Sequence, residues 1–293
     1  MVLFSVAAEG DKPLQKYLQA AGVMDDAGFY SLQLYEHIPY APAWALAFAV
    51  APSLRRLKIG PVTVPARLYS PLVNARFMVL LESISPGAVL GISRGAYMGR
   101  DRAGVVEVVE AVKAVADLVK TASFEPEIYV GTSGPRLVKA AAAVGAVKAV
   151  VVDNLANPAY ARFLKNIMDG VGRKDLMLIA RPFTYIAGSS DAAVPPLSKH
   201  VQKYLPELVG PSPMVEAAGL SYDDLGSGEP EVVRRVLDAF TLHGSAEDVL
   251  DQAARLIEAG VDHLCFGHPL AEDFVEGVRI LRDRVLPYFA GLR

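Results

Sequence analysis

Between Gly28 and Gly95 the chain strings together three units of one kind: an apolar run, a short corner, a helical stretch. Tyr30–Tyr35 runs into Glu36-His37, Leu57–Val64 carries Gly60-Pro61 and leads to Arg67, and Ala88–Ile92 runs into Ser93-Arg94-Gly95. Strands this rich in valine, isoleucine and leucine need cover on both faces, which a parallel sheet wrapped by helices supplies. Closed into a barrel, such units bring every strand-to-helix corner to one rim, so groups far apart in sequence converge there. The repeat predicts where chemistry sits before any residue is singled out.

The alternation continues along the chain. Val2–Ala7 predicts a first strand, and Lys12–Ala27 a helix with Leu14, Leu18 and Ala21 on one stripe and Gly28 ending it. Pro42–Ser53 and Asn74–Ser83 predict the next two helices, and Arg102–Lys120 a fourth with Val105, Val109, Val112 and Val119 inward. Glu127–Gly131, Val147–Val152, Leu176–Pro182 and His263–Gly267 supply strands five to eight, with helices at Pro135–Val144 and Ala159–Val171. Asp273–Leu286 closes the structure, with Phe274, Val278, Leu281 and Val285 facing in. The expected class is α/β, a single (β/α)8 TIM barrel over residues 1–293. Phe183–His243, between strands seven and eight, is too long for a simple corner and carries Pro195-Pro196, Pro206, Pro211, Pro213 and Pro230. It reads as an inserted helical and loop region over the C-terminal rim, either a lid or substrate wall or a packing embellishment.

Composition narrows the function. A net charge of −3 with no basic run gives no electrostatic footprint for nucleic acid. Cys265 stands alone, which excludes an internal disulfide framework or a cysteine zinc cage and suits a reducing compartment. Met1–Gly10 lacks the basic start and apolar length of a signal peptide. Trp44–Leu54 is broken by Pro52 and falls short of the roughly 20 residues that span a bilayer. The expectation is a soluble, cytoplasmic protein without membrane partners. Scarce asparagine and glutamine favour a hot-environment origin. Trp44, Leu46 and Phe48 fit either a self-association face or ordinary core.

Several corners carry chemistry. Glu36-His37 sets a carboxylate beside an imidazole, able to serve as a general acid and a polar anchor, and the aromatic run to Tyr40 would desolvate the pair. Gly131-Thr132-Ser133-Gly134-Pro135-Arg136 combines backbone N–H groups, two hydroxyls and a guanidinium, the parts of an anion cradle. Pro135 also suits a helix start, so part of that corner is capping. Ser93-Arg94-Gly95 resembles it and could hold the same phosphate-bearing ligand, unless Arg94 instead pairs with a helix carboxylate. Gly60-Pro61-Val62-Thr63, near the end of strand three, predicts a bulge, because proline cannot continue a central ladder. Arg181 lies within a strand and needs an acid or an anionic ligand. Asp153-Asn154 ends strand six, and His268 ends strand eight, in reach of a ligand. No histidine pair has metal spacing, no Gly-x-Ser-x-Gly elbow occurs, and Cys265 sits mid-strand, so no metal site or covalent nucleophile is expected.

These corners resemble the bacterial-luciferase-like superfamily of flavin and deazaflavin barrels. The resemblance rests on Ala27-Gly28-Phe29, Glu36-His37, Leu57–Pro61, Ser70-Pro71, Ser85–Ile92 and Ile128–Pro135, and on Phe240–Asp248. Glu258–Asp262 and Phe266–Leu270 are most similar to the archaeal methylenetetrahydromethanopterin reductase branch. The resemblance implies coenzyme F420 lying across the rim, held by His37, Val62, Thr63, Ser93, Arg94, Gly95, Gly131, Thr132, Ser133, Gly134 and Arg136. It implies a non-proline cis peptide near Val62-Thr63 behind the ring, and a homodimer or larger homo-oligomer. The implied reaction moves a hydride between F420 and a one-carbon unit on a pterin, chemistry that asks of the protein mainly alignment. Glu36 is the candidate acid that protonates the pterin nitrogen, with Arg181 and His268 as substrate contacts.

The chain also departs from that branch. Ala7 aligns with an acid of strand one, Ala96 with an acid past the glycines of strand four, and the segment after Ala96 is shortened. Two other readings follow: an FMN-dependent monooxygenase on the same barrel, or a barrel that binds a ligand without turning it over.

Overall fold

The computed structural model describes residues 2–120, 122 and 124–292. In chain order it opens with β1 (Leu3–Ala8), α1 (Leu14–Ala27), β2 (Ser31–Leu34), α2 (Ala43–Val50), β3 (Lys58–Pro61) and β4 (Val64–Pro65). Next come α3 (Pro71–Ile84), β5 (Val89–Ser93), α4 (Val105–Val119), β6 (Glu127–Gly131), α5 (Pro135–Ala142), β7 (Val147–Asp153), α6 (Pro158–Asp169) and β8 (Met177–Arg181). The last part holds β9 (Phe183–Ile186), α7 (Ser190–Val209), α8 (Pro213–Ala217), α9 (Pro230–Phe240), β10 (Thr241–Gly244), α10 (Ala246–Glu258), β11 (His263–Leu270) and α11 (Phe274–Ile280).

Hydrogen bonding runs β3-β2-β1-β11-β8-β7-β6-β5-β4, every pair parallel, and an isolated Ile59–Ala88 bridge joins the two ends. The result is a nearly closed α/β barrel, as the repeat predicts. Each strand is buried on both faces. Ala7, Val62, Val89, Tyr129, Ala149, Val151, Ile179 and Cys265 fill the inside, while a larger apolar layer sits between strands and helices. Trp44, Leu46 and Phe48 belong to that outer layer, so they are core and not a free face.

Strand three breaks inside Gly60–Thr63, the stretch expected to bulge. Ile59 donates its N–H to the Gly87 carbonyl, but the next nitrogen on that side belongs to Pro61, which has no proton to give. Pairing with β5 lapses there and resumes at Val64–Ile92, after a cis Val62–Thr63 peptide. Pro61 itself stays in register with Leu34 of β2.

Two helical stripes also shift. The buried side of α1 is Tyr17, Ala20, Ala21 and Met24, while Leu14 is exposed; α4 buries Val108, Val112, Val115, Ala116 and Val119, with Val105 and Val109 only half-buried. Tyr17 sets the turn of α1, because its hydroxyl donates to the Glu9 carbonyl and its ring packs on Phe274.

The stretch after β8 is more regular than its prolines predict. Phe183–Ile186 and Thr241–Gly244 pair in parallel, and β9 also pairs with β11. Pro195, Pro196 and Pro206 lie inside α7 without ending it. The apolar face of that helix, Leu197, Val201, Tyr204 and Leu205, is buried, and packing outweighs the lost backbone bonds. No helix among the described residues is long and apolar enough to cross a membrane.

Candidate active site

A cavity of about 680 Å³ opens at the C-terminal ends of the strands. Of the residues singled out from the sequence, Glu36, His37, Thr63, Ser93, Arg94, Gly95, Gly131, Thr132, Ser133, Gly134, Arg136, Arg181 and His268 all line it. Val62 does not. Its side chain turns into the barrel interior with Ala7 and Val89, and only its carbonyl serves the site, as an acceptor for Arg181.

The centre of the site is a carboxylate that the sequence reading missed. Glu9, just past β1, is 5% exposed and holds an imidazole at each oxygen: His37 Nδ1 at 3.0 Å and His268 Nε2 at 3.1 Å. Burial pushes this carboxyl up, but the hydrogen bonds from His268 and His37 outweigh it and bring the pKa down to about 2. An ionised carboxylate only accepts, so both imidazoles present N–H to it, which sets their tautomers. His37 is further held by the Tyr97 ring, stacked at 4.1 Å, and by the edges of Tyr40 and Tyr204. The signal was available: Ala8-Glu9-Gly10 is a strand-to-helix corner like the others. Although strand one carries Ala7, the rim keeps an acid two residues on.

Glu36 lies beside this pair, half-buried at the cavity wall. One carboxylate oxygen accepts the Ala43 N–H at 3.1 Å, and the Tyr69 hydroxyl also bonds to the group. Burial is the largest influence and raises its pKa above the ordinary glutamate value.

On the opposite wall the glycines make room. A Cβ on Gly131 would fall 2.5 Å from the Thr63 methyl, and one on Gly91 would fall 2.7 Å from it, so Thr63 is seated only because both are glycine. Gly95 takes a left-handed φ of 83°. Thr132 Oγ1 accepts the Gly134 N–H at 3.0 Å, and the Tyr160 hydroxyl donates to the Ser133 carbonyl at 2.7 Å. Arg94 donates from Nε to the Ala103 carbonyl at 2.7 Å, not to a helix carboxylate. Arg102, which the sequence reading passed over, also lines the cavity; burial and the charge of Arg94 lower its pKa. Arg94, Arg102 and Arg136 thus all line the cavity.

The floor is built on Arg181, fully buried. Its Nε meets Asp153 Oδ1 at 2.6 Å, Nη1 meets Gln33 Oε1 at 3.3 Å and the Val62 carbonyl, and the Tyr35 ring lies 4.3 Å from the guanidinium. The acid expected for Arg181 is therefore Asp153. Nη2 of Arg181, Nδ2 of Asn154 and Oγ of Ser212 are buried without a partner among the described residues, and all three residues line the cavity. Unpaired buried polar atoms are rare in native proteins, and three around one hollow make it the candidate binding site. Leu208–Pro213, at the end of α7, form part of the wall, and the Tyr204 hydroxyl meets that of Tyr40 at 2.9 Å.

A parallel barrel with a polar cavity at its C-terminal rim, three acids and two paired imidazoles inside, defines a barrel built for ligand chemistry. The chain belongs to the luciferase-like monooxygenase family, whose pattern it matches over residues 2–263. It is 25% identical over 325 aligned positions to the 5,10-methylenetetrahydromethanopterin reductase of Archaeoglobus fulgidus, covering 94% of this chain and 95% of that protein. Among solved structures, the coenzyme F420-dependent tetrahydromethanopterin reductase from Methanopyrus kandleri superposes with a TM-score of 0.83 at 19% identity, over 98% of this chain and 99% of that one. An F420-dependent secondary alcohol dehydrogenase in complex with an F420-acetone adduct reaches a TM-score of 0.77 at 17% identity, over 97% and 98%.

Proposed function

We propose that this chain is a coenzyme F420-dependent oxidoreductase that transfers a hydride between the deazaflavin and the one-carbon unit of a pterin, in the manner of a 5,10-methylenetetrahydromethanopterin reductase. The observation that carries this reading is the similarity to the Archaeoglobus fulgidus reductase across nearly the whole of both chains.

The cavity fits the cofactor. Its glycine corners leave open backbone, three arginines line it, and three of its residues carry buried polar atoms with no partner among the described residues. Ser93, Arg94, Gly95 and Gly131–Arg136 would hold the phosphate end, and Thr63 and His37 would border the ring. When bound, F420 supplies hydride-transfer chemistry. The chain's own task is to align two flat molecules, exclude water and manage one proton. Glu36 suits the proton, because burial keeps its carboxyl protonated to higher pH than a surface glutamate. Glu9 acts through His37 and His268, fixing their orientation, and Arg181 and His268 border the substrate. Residues 183–243 serve as a substrate wall. Self-association and a cytoplasmic setting complete the proposal, the first open to sedimentation analysis.

The test is direct. Purified protein is titrated with F420 and with FMN, and oxidation of reduced F420 is followed by absorbance with the methylene pterin present. Binding of F420 with pterin-dependent turnover supports the reading. Tight binding of FMN alone would point to the monooxygenase, and F420 binding without turnover to a barrel that only binds.

A further inference from the structure

The three carboxylates lining the cavity, Glu9, Glu36 and Asp153, are not equally committed. Glu9 gives an oxygen to each of two imidazoles, and Glu36 is held by the Ala43 N–H and the Tyr69 hydroxyl. Asp153 uses only Oδ1, for Arg181; no hydrogen bond among the described residues reaches Oδ2. Its side chain is 33% exposed, whereas the guanidinium behind it is wholly buried, so a ligand meets the carboxylate first. Arg181 is itself braced from the rear by Gln33 and the Val62 carbonyl, which holds the carboxylate in a fixed orientation.

Asn154 adds a second group. Its φ of 59° is left-handed, a conformation asparagine tolerates better than most residues, and its backbone N–H is tied to the Arg181 carbonyl at 2.9 Å. The side chain lies at the same cavity, 1% exposed, with Nδ2 unpartnered among the described residues. The wall therefore offers an acceptor pair next to an amide.

We propose that Asp153 and Asn154 grip the amino-lactam edge of the pterin, Asp153 accepting from the exocyclic amine and the adjacent ring N–H, and Asn154 donating to the neighbouring ring carbonyl. The inference rests on the pterin reading above. Chemistry separates the two possible occupants of this wall. An amino-lactam edge presents two adjacent donors, which a carboxylate accepts together. A deazaflavin edge presents carbonyl, N–H, carbonyl, and would set two acceptors against a carboxylate.

The experiment is calorimetric titration of the full chain with a tetrahydropterin, with its 2-desamino analogue bearing the same side chain, and separately with F420. The wild type is expected to prefer the amino form at least tenfold, and Asp153→Asn to lose that preference. Asn154→Gly, which keeps the left-handed backbone, should weaken both pterins several-fold, with the F420 Kd within twofold throughout. Asp153→Asn deprives Arg181 of its acid, so its folding is checked by circular dichroism; if it does not fold, the wild-type ratio and Asn154→Gly decide the matter. Equal binding of the two pterins by the wild type overturns the assignment. So does an F420 Kd that rises as much as the pterin Kd in Asn154→Gly, which would give this wall to the cofactor. If F420 binds and neither pterin does, the proposed function itself falls, a result distinct from pterin binding without discrimination.

Discussion

Glu9 and Glu36 face the same cavity with their protonation pushed in opposite directions, and the cause is their neighbours. The hydrogen bonds from His268 and His37 bring Glu9 down to about 2, against an unfolded value near 4.3. A carboxyl depressed in the folded state stabilises the protein above its unfolded pKa, and that stability is lost as the pH falls toward the folded one. The difference corresponds to roughly 3 kcal/mol at neutral pH. Urea denaturation of Glu9→Gln is expected to show a deficit of that order at pH 7 that shrinks steadily below about pH 4; a deficit constant from pH 7 to pH 3 would contradict the charged role. Glu36 is shifted upward by burial. In the proposed role of general acid it would lose its proton as the pH rises through its pKa, so kcat/KM should fall on that limb. Glu36→Gln should flatten the limb and cost about 10²–10⁴ in rate with F420 affinity retained. Glu36 was legible as a corner acid, and Glu9 equally so in principle. That one carboxylate serves His37 and His268, residues from opposite ends of the chain, is written nowhere in the local sequence.

At the scale of elements, the strands came through because an apolar run bounded by glycine or proline is a local property. Helix faces did less well. Periodicity gives α4 an apolar side, but which valine points inward depends on the neighbour, and the buried set centres on Val108 and Val115. Strand three was legible for a local reason: Pro61 has no N–H to give, so Gly60–Thr63 announces an interruption, and the break falls there, at Val62–Thr63. Gly60 is needed for a different reason. A Cβ there would lie 1.9 Å from the Val89 carbonyl oxygen, backbone that has nowhere to go. Gly60→Ala should destabilise the barrel by about 3 kcal/mol or more, read by chemical denaturation. A loss under about 1 kcal/mol would mean that β3 and β5 can part locally.

For the whole molecule, three of the buried side-chain atoms that lack a partner among the described residues belong to residues lining the cavity, and filling it should stabilise the barrel. At a hundredfold excess of F420 over its Kd the expected gain is about 2.7 kcal/mol, a rise in Tm of several degrees. FMN at the same concentration should give no such rise. A shift with FMN alone would move the chain toward the oxygen-activating members of its family. Apolar side chains exposed on the outer helices, Leu72 and Leu80 on α3 and Val106 on α4, are where self-association would leave its mark.

By itself, the sequence determined the alternation of strand and helix, the single rim, and the corners that carry polar groups, because each follows from spacing over a few residues. Tertiary structure alone decided which corners face one another: Glu9 with His37 and His268, Asp153 with Arg181, Thr63 with Gly91 and Gly131. It also decided that Val62 turns inward while Thr63 turns to the cavity. Those choices depend on how strands stagger and twist around a closed barrel, a global condition that no short window of residues encodes.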